Sequence, residues 1–146
     1  MKTAYIMMGI QGSGKSTFCT RFLGNVERIN LDTLHTRNKE ATMIAECHQK
    51  ECDYVVDNTN PTRADRQRYI PAAKEAGYRV VGYFMKSRIK ECIKRNELRE
   101  GKARIPAKAI AMTSNKLEMP SRKEGFDELY FVRIDGDNML ISDWRD

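Results

Sequence analysis

The chain has 146 residues, a formal charge of +6, 40% hydrophobic and 32% charged content. That length predicts one domain over residues 1–146 with a real core. No apolar run nears the roughly 18 residues of a membrane span, so no membrane role is expected. Cys19, Cys47, Cys52 and Cys92 form no C-x-x-C pair, and with two histidines there is no zinc spacing. They read as packing thiols in a reducing, cytoplasmic compartment.

In chain order, Thr3–Met8 predicts a strand. Its apolar stretch is short and runs straight into a glycine-rich segment, which does not read as a signal peptide. Residues 9–17, Gly-Ile-Gln-Gly-Ser-Gly-Lys-Ser-Thr, make a complete G-x-x-x-x-G-K-[ST] loop. A helix is expected from there to about Leu23, so the motif has the strand-before, helix-after context that gives it meaning. Gly9, Gly12 and Gly14 leave the backbone free to turn its N–H groups toward a phosphate. Gln11, Ser13 and Thr17 complete the cradle, and the helix adds its positive dipole end. Lys15 reaches the β- and γ-phosphates, and the Ser16 hydroxyl holds Mg²⁺. ATP with Mg²⁺ is the expected ligand pair.

Glu27–Leu31 reads as a short strand ending at Asp32, and Asn38–Lys50 as a helix. Asp53–Val56 is an apolar strand closing on Asp57. After the turn-rich Asn58–Pro61, Thr62 caps a helix to about Ala76, ended by Gly77. Tyr78–Met85 is a strand by its Val and aromatic content. Ser87 caps a helix to about Leu98. A basic segment, Arg99–Arg104, and Ile105-Pro106 precede a helix to about Glu118. Leu129–Ile134 is the last strand expected, and Asp135-Gly136-Asp137 reads as a polar turn. Such alternation predicts an α/β, P-loop NTPase-like three-layer fold: a central, mostly parallel sheet of about five strands with a helical lid near residues 95–106. There are no repeats, low-complexity stretches or linkers.

Functional side chains are then expected where strands end. A carboxylate at Asp32 faces the phosphate loop, placed to orient an acceptor hydroxyl and take its proton; the competing reading is a helix cap. Asp57 reads as a Walker B acid near Mg²⁺ or the acceptor, or as a turn former. Arg95 and Arg99 share a helical face at i, i+4 and are placed to close over the nucleotide. The basic residues cluster, Arg63, Arg66 and Arg68 in one group and Lys86 to Lys108 in another. This balance is compatible with a polyanionic partner, with ATP-binding cations or with solvated helix faces.

Taken together, the phosphate loop, Asn30-Leu31-Asp32-Thr33-Leu34, Val56-Asp57-Asn58-Thr59-Asn60-Pro61 and Lys94-Arg95-Asn96…Arg99…Ile105-Pro106 resemble the kinase domain of 5′-hydroxyl polynucleotide kinases. Met119-Pro120…Glu124-Gly125-Phe126 extends the likeness across nearly the whole chain. The resemblance implies transfer of the ATP γ-phosphate to the 5′-OH of DNA or RNA. It implies Lys15 and Ser16 as the phosphate and metal contacts, Asp32 as general base, and Arg95 and Arg99 as lid arginines. Asp57 and Asn58 fall on the acceptor side. Where the phage-type pattern has an arginine gripping the acceptor, this chain has His35, with Arg37 nearby. The phosphatase domain that often accompanies these kinases is not expected here, and no obligate protein partner is evident. Two rival readings stay open: a P-loop kinase for a small alcohol such as a sugar, nucleoside or antibiotic, and a nucleotide-binding module without turnover.

Overall fold

The computed structural model describes residues 2–101 and 104–146. Six strands form one sheet in the order β2-β3-β1-β4-β5-β6. They are β1 (Thr3–Met8), β2 (Glu27–Ile29), β3 (Tyr54–Val56), β4 (Arg79–Met85), β5 (Glu128–Asp135) and β6 (Asn138–Asp143). All neighbours run parallel except the β5–β6 pair. The helices are α1 (Lys15–Phe22), α2 (Leu31–Leu34), α3 (Arg37–Lys50), α4 (Arg63–Gln67), α5 (Ile70–Glu75), α6 (Ile89–Glu97) and α7 (Ala107–Lys116).

The three layers follow from side-chain alternation. Successive strand residues point to opposite faces, so a strand covered on both sides must be apolar at every position. In β1, Ala4, Ile6 and Met8 pack with Ile29, Val56 and Phe84 under Cys47 of α3 and Ile70 and Ala73 of α5. Met7 faces the other way, against Phe18 and Cys19 of α1 with Val55, Met85 and Val132. A third small cluster, Ile10, Cys92 and Ile110, seats α6 and α7 over the phosphate loop. All four cysteines are free thiols. Among the described residues no helix is long and apolar enough to cross a membrane.

The structure departs from the sequence reading in four places. Asp32 does not end a strand. Strand β2 stops at Ile29, and Asn30 accepts a hydrogen bond from the Thr33 amide as N-cap of α2, placing Asp32 in that helix's first turn. The single helix expected from Thr62 to Ala76 is two, because Pro71 sits at the start of α5. A proline there offers no N–H to the preceding turn, so the helix restarts. Ser87 is not a cap: Arg88 stands at the N-cap position of α6 with no side-chain bond. Finally the turn at Gly136 and Asp137 is a hairpin that returns β6 against β5, with Gly136 at φ 61°. That sixth strand escaped notice because five of its six residues are exposed.

Candidate active site

Strand β1 ends in the phosphate loop, and the loop is braced from three sides. The Gly9 amide donates to Thr59 O at 3.0 Å. The Ile10 amide donates to Ser87 Oγ at 3.1 Å, and that hydroxyl donates onward to Met85 O at 2.8 Å. Gln11 Nε2 donates to Thr113 Oγ1 at 3.1 Å. Two glycines are steric necessities. Gly12 has φ 81°, and a Cβ there would fall into the Cys92 carbonyl; Gly14 has φ 98°, and a Cβ there would lie 2.8 Å from Ile134 Cδ1. Gly14 is the N-cap of α1, so the unpaired first-turn N–H groups of α1 and its dipole end open onto the loop. Ser13 Oγ and Gln11 Oε1 are buried without a hydrogen-bond partner. Of the two, only the Ser13 hydroxyl can donate to a phosphate oxygen; the Gln11 oxygen is an acceptor.

The loop borders a cleft of about 970 Å³, a volume in the range of nucleotide-sized sites. Gln11, Gly12, Lys15, Ser16 and Thr17 of the loop and its helix line it, together with Asp32, His35, Asp57, Asn58 and Arg99. Lys15 is half-buried, and its Nζ donates to Gly9 O at 2.9 Å and Ile10 O at 3.0 Å. Loss of hydration pulls its pKa down to about 8, the Arg99 charge adding to the fall while Asp57 and Asp32 oppose it.

Across the loop, Ser16 Oγ donates to Asp57 Oδ2 at 3.3 Å. Asp57 is 1% exposed and is ion-paired with Arg28 Nε at 2.7 Å. Arg28 Nη2 also donates to Ser16 Oγ at 3.1 Å. Among the described residues no cluster of three or more His, Cys, Asp or Glu is placed to hold a metal ion. The Ser16–Asp57 pair nonetheless fits Mg²⁺, a hard cation that takes one or two protein oxygens and fills its octahedron with water and phosphate oxygens.

The side of the cleft around Asp32 is built from a chain of amides and acids. Asn30 Nδ2 donates to Asp57 O, and Asn58 Oδ1 accepts from the Leu31 amide at 3.0 Å. These two bonds lock α2, and so Asp32, to the end of β3. Asn58 Nδ2 donates to the buried Glu40 Oε2 at 2.9 Å. Glu40 Oε1 accepts from Tyr69 OH at 3.0 Å and Arg37 Nη1 at 3.0 Å. Burial, reinforced by the Glu40 charge, raises the Tyr69 phenol to about 12. Asp32 is exposed to the cleft. His35, in the left-handed conformation at φ 71°, ends α2 and faces the same space. Arg37 is drawn instead onto Glu40 and Tyr69.

On the lid side, Arg95 Nη1 donates to Gly12 O at 3.1 Å and so braces the loop from behind, while Arg99 lines the cleft. Part of the expected lid, residues 102 and 103, lies outside the described residues. Asn96 belongs to the segment that carries the resemblance, and its role there is structural. It is buried, and its amide pairs with both backbone groups of Ile105, donating to the carbonyl and accepting from the N–H at 2.8 Å. That pairing ties Ile105, after the basic segment, back to α6. Arg66 was grouped with surface cations but is fully buried, paired with Glu124 at 2.8 Å and donating to Asn60 O and Glu118 O. It holds the turn after Asp57. Arg28, Glu40 and Arg66 belong to no short motif, and an isolated polar residue in a sequence carries no mark of burial.

A family model described as an AAA domain matches residues 5–120. The bifunctional polynucleotide phosphatase/kinase of Schizosaccharomyces pombe is 29% identical over 127 residues, covering 83% of this chain and 31% of that protein. A putative bifunctional polynucleotide phosphatase/kinase of Acanthamoeba polyphaga mimivirus is 27% identical over 154 residues, covering 99% of this chain and 37% of that protein. The chain thus spans about a third of the length of these curated relatives. Among solved structures, a sugar kinase from Janibacter sp. shares the fold with a TM-score of 0.69 at 17% identity, over 91% of this chain and 86% of that one. With its braced phosphate loop, its mostly parallel sheet and a match over residues 5–120, the chain belongs to the AAA domain family AAA_33, as a P-loop domain of the kind found in kinases.

Proposed function

We propose that this domain is an ATP- and Mg²⁺-dependent kinase that phosphorylates the 5′-hydroxyl end of DNA or RNA, with Asp32 as general base. The observation that carries the reading is the placement of an exposed carboxylate, Asp32, across one cleft from the phosphate-loop Lys15 and Ser16. The phosphatase/kinase relatives supply the acceptor class, and the net charge of +6 suits a polyanionic strand.

The chemistry follows from the residues that line the cleft. The loop amides, the α1 N-terminus and Lys15 hold the β- and γ-phosphates. Ser16 and Asp57 would hold Mg²⁺, which would supply Lewis-acid neutralisation of phosphate charge. Arg99, which lines the cleft, neutralises charge on the transferring phosphoryl group. Asp32 accepts a hydrogen bond from the acceptor hydroxyl, aligns its oxygen with the γ-phosphorus, and takes the proton as the new P–O bond forms and ADP leaves. Two hydrogen bonds, Asn30 to Asp57 O and Leu31 N to Asn58, keep Asp32 at a set distance from the metal donors.

One observation favours a smaller alcohol as acceptor. Arg37, the nearest replacement for an arginine at position 35, is held by Glu40 and Tyr69. The decisive experiment incubates the protein with labelled ATP, Mg²⁺, 5′-hydroxyl oligonucleotides and small alcohols. Labelled oligonucleotide with an acceptor KM that rises with salt supports the strand acceptor, because phosphate contacts release counterions. Labelling of a small alcohol alone overturns it, and absence of any turnover leaves a binding module.

A further inference from the structure

The metal donors in this site already hold a cation. The Arg28 guanidinium, Ser16 Oγ and Asp57 Oδ2 close a triangle. Nε donates to the carboxylate at 2.7 Å, Nη2 to the hydroxyl at 3.1 Å, and the hydroxyl to the same carboxylate oxygen at 3.3 Å. The placement comes from the sheet. Arg28 lies opposite Val55 in the β2–β3 register, and Val55 packs on the α1 face of the sheet, with Ser16 in the first turn of that helix. A buried carboxylate without a counter-charge is costly, and Asp57 is 1% exposed while the Arg28 side chain is 43% exposed. Arg28 therefore supplies the missing charge from solvent, on a side chain free to turn outward.

We infer that Arg28 is an internal competitor for the divalent cation: it occupies the Ser16–Asp57 donors in the metal-free protein, and the arriving metal displaces it into the cleft. The inference rests on reading Ser16 and Asp57 as metal donors. Guanidinium and metal exclude each other on two grounds. The hydroxyl electron pairs and carboxylate oxygen that receive the N–H groups are the ones a metal would use. A third positive charge a few ångströms from a dication is repelled. The exchange makes the bare protein a poor metal binder and leaves the triphosphate, which brings further oxygens, to tip the balance.

The test uses metal alone on the nucleotide-free protein. Mn²⁺ binding followed by electron paramagnetic resonance should be at least about tenfold tighter in Arg28→Gln than in the wild type, the effect of removing one charge beside the ion. In the wild type, the Arg28 Nε–H signal, assigned by its loss in Arg28→Lys, should move toward the frequency of exposed arginines as Mg²⁺ is added. This second readout holds if the Gln variant folds poorly. Equal Mn²⁺ affinity in the two proteins, or an Arg28 signal that stays in place at metal saturation, overturns the inference. Loss of the kinase reading alone would show as absent turnover with the Arg28 exchange intact.

Discussion

The depressed pKa of Lys15 predicts that the phosphate-loop lysine destabilises the ligand-free fold at neutral pH. Its value falls from 10.5 to about 8 as burial strips its water. A lysine whose folded pKa lies below its unfolded one binds fewer protons when folded, so stability rises with pH between those values. The cost is fully present below pH 8 and disappears above about pH 10.5. A gap of about 2.5 units corresponds to roughly 3 kcal/mol at pH 7, and to about 2 kcal/mol less strain at pH 9.5 than at pH 7. Lys15→Met keeps the aliphatic volume and removes the titration. Its own loss of the bonds to Gly9 O and Ile10 O shifts stability by a similar amount at both pH values. Urea unfolding of both proteins at pH 7 and 9.5 should therefore show the variant's relative advantage shrinking by about 2 kcal/mol as pH rises. The raised thiol of Cys19 is common to both proteins and cancels. A triphosphate in the cleft restores the lysine's charge, so ATP binding near pH 8 should take up about half a proton, visible by calorimetry in buffers of different ionisation enthalpy. A stability difference that is flat from pH 7 to 9.5 would refute the claim that burial strains this charge.

Asp32→Asn keeps shape and removes basicity; phosphoryl transfer should fall by a factor of about 10² to 10⁴ while ATP affinity stays within a few-fold, read by single-turnover kinetics and calorimetry. Near wild-type turnover would dismiss the base. Arg99→Ala should lower kcat, with Arg99→Lys recovering only part because a lysine lacks the planar fork; a change confined to the acceptor KM would assign Arg99 to the strand instead. Arg66→Met should cost about 3–5 kcal/mol of unfolding free energy, since it strands the buried Glu124 carboxylate and two backbone carbonyls. The measurement is a urea titration, and a loss under about 1 kcal/mol would mean Glu124 finds another partner.

What the amino-acid order determined by itself was the phosphate loop and the buried strands, which have a local or periodic cause. The glycine spacing of residues 9–17 specifies a loop because positive φ and absent Cβ atoms are needed at Gly12 and Gly14. The fully apolar runs of β1 and β3 specify strands covered on both faces. Asp32 was read as a site residue from a presumed strand end and Arg99 from the i, i+4 step after Arg95; both line the cleft. Tertiary structure alone decided which polar residues are buried and whom they meet. Glu40 reaches Asn58 from 18 residues away, Arg66 reaches Glu124 across 58, and Arg28 reaches Asp57 across 29. Nothing in a local window distinguishes Arg66, fully buried, from its exposed neighbour Arg63, because both satisfy the same helix propensity. The sheet order places β3 beside β1, and that crossing brings Asp57 to Ser16. A motif encodes backbone shape within a few residues; the charge each site group feels is set by chains brought together only when the sheet closes.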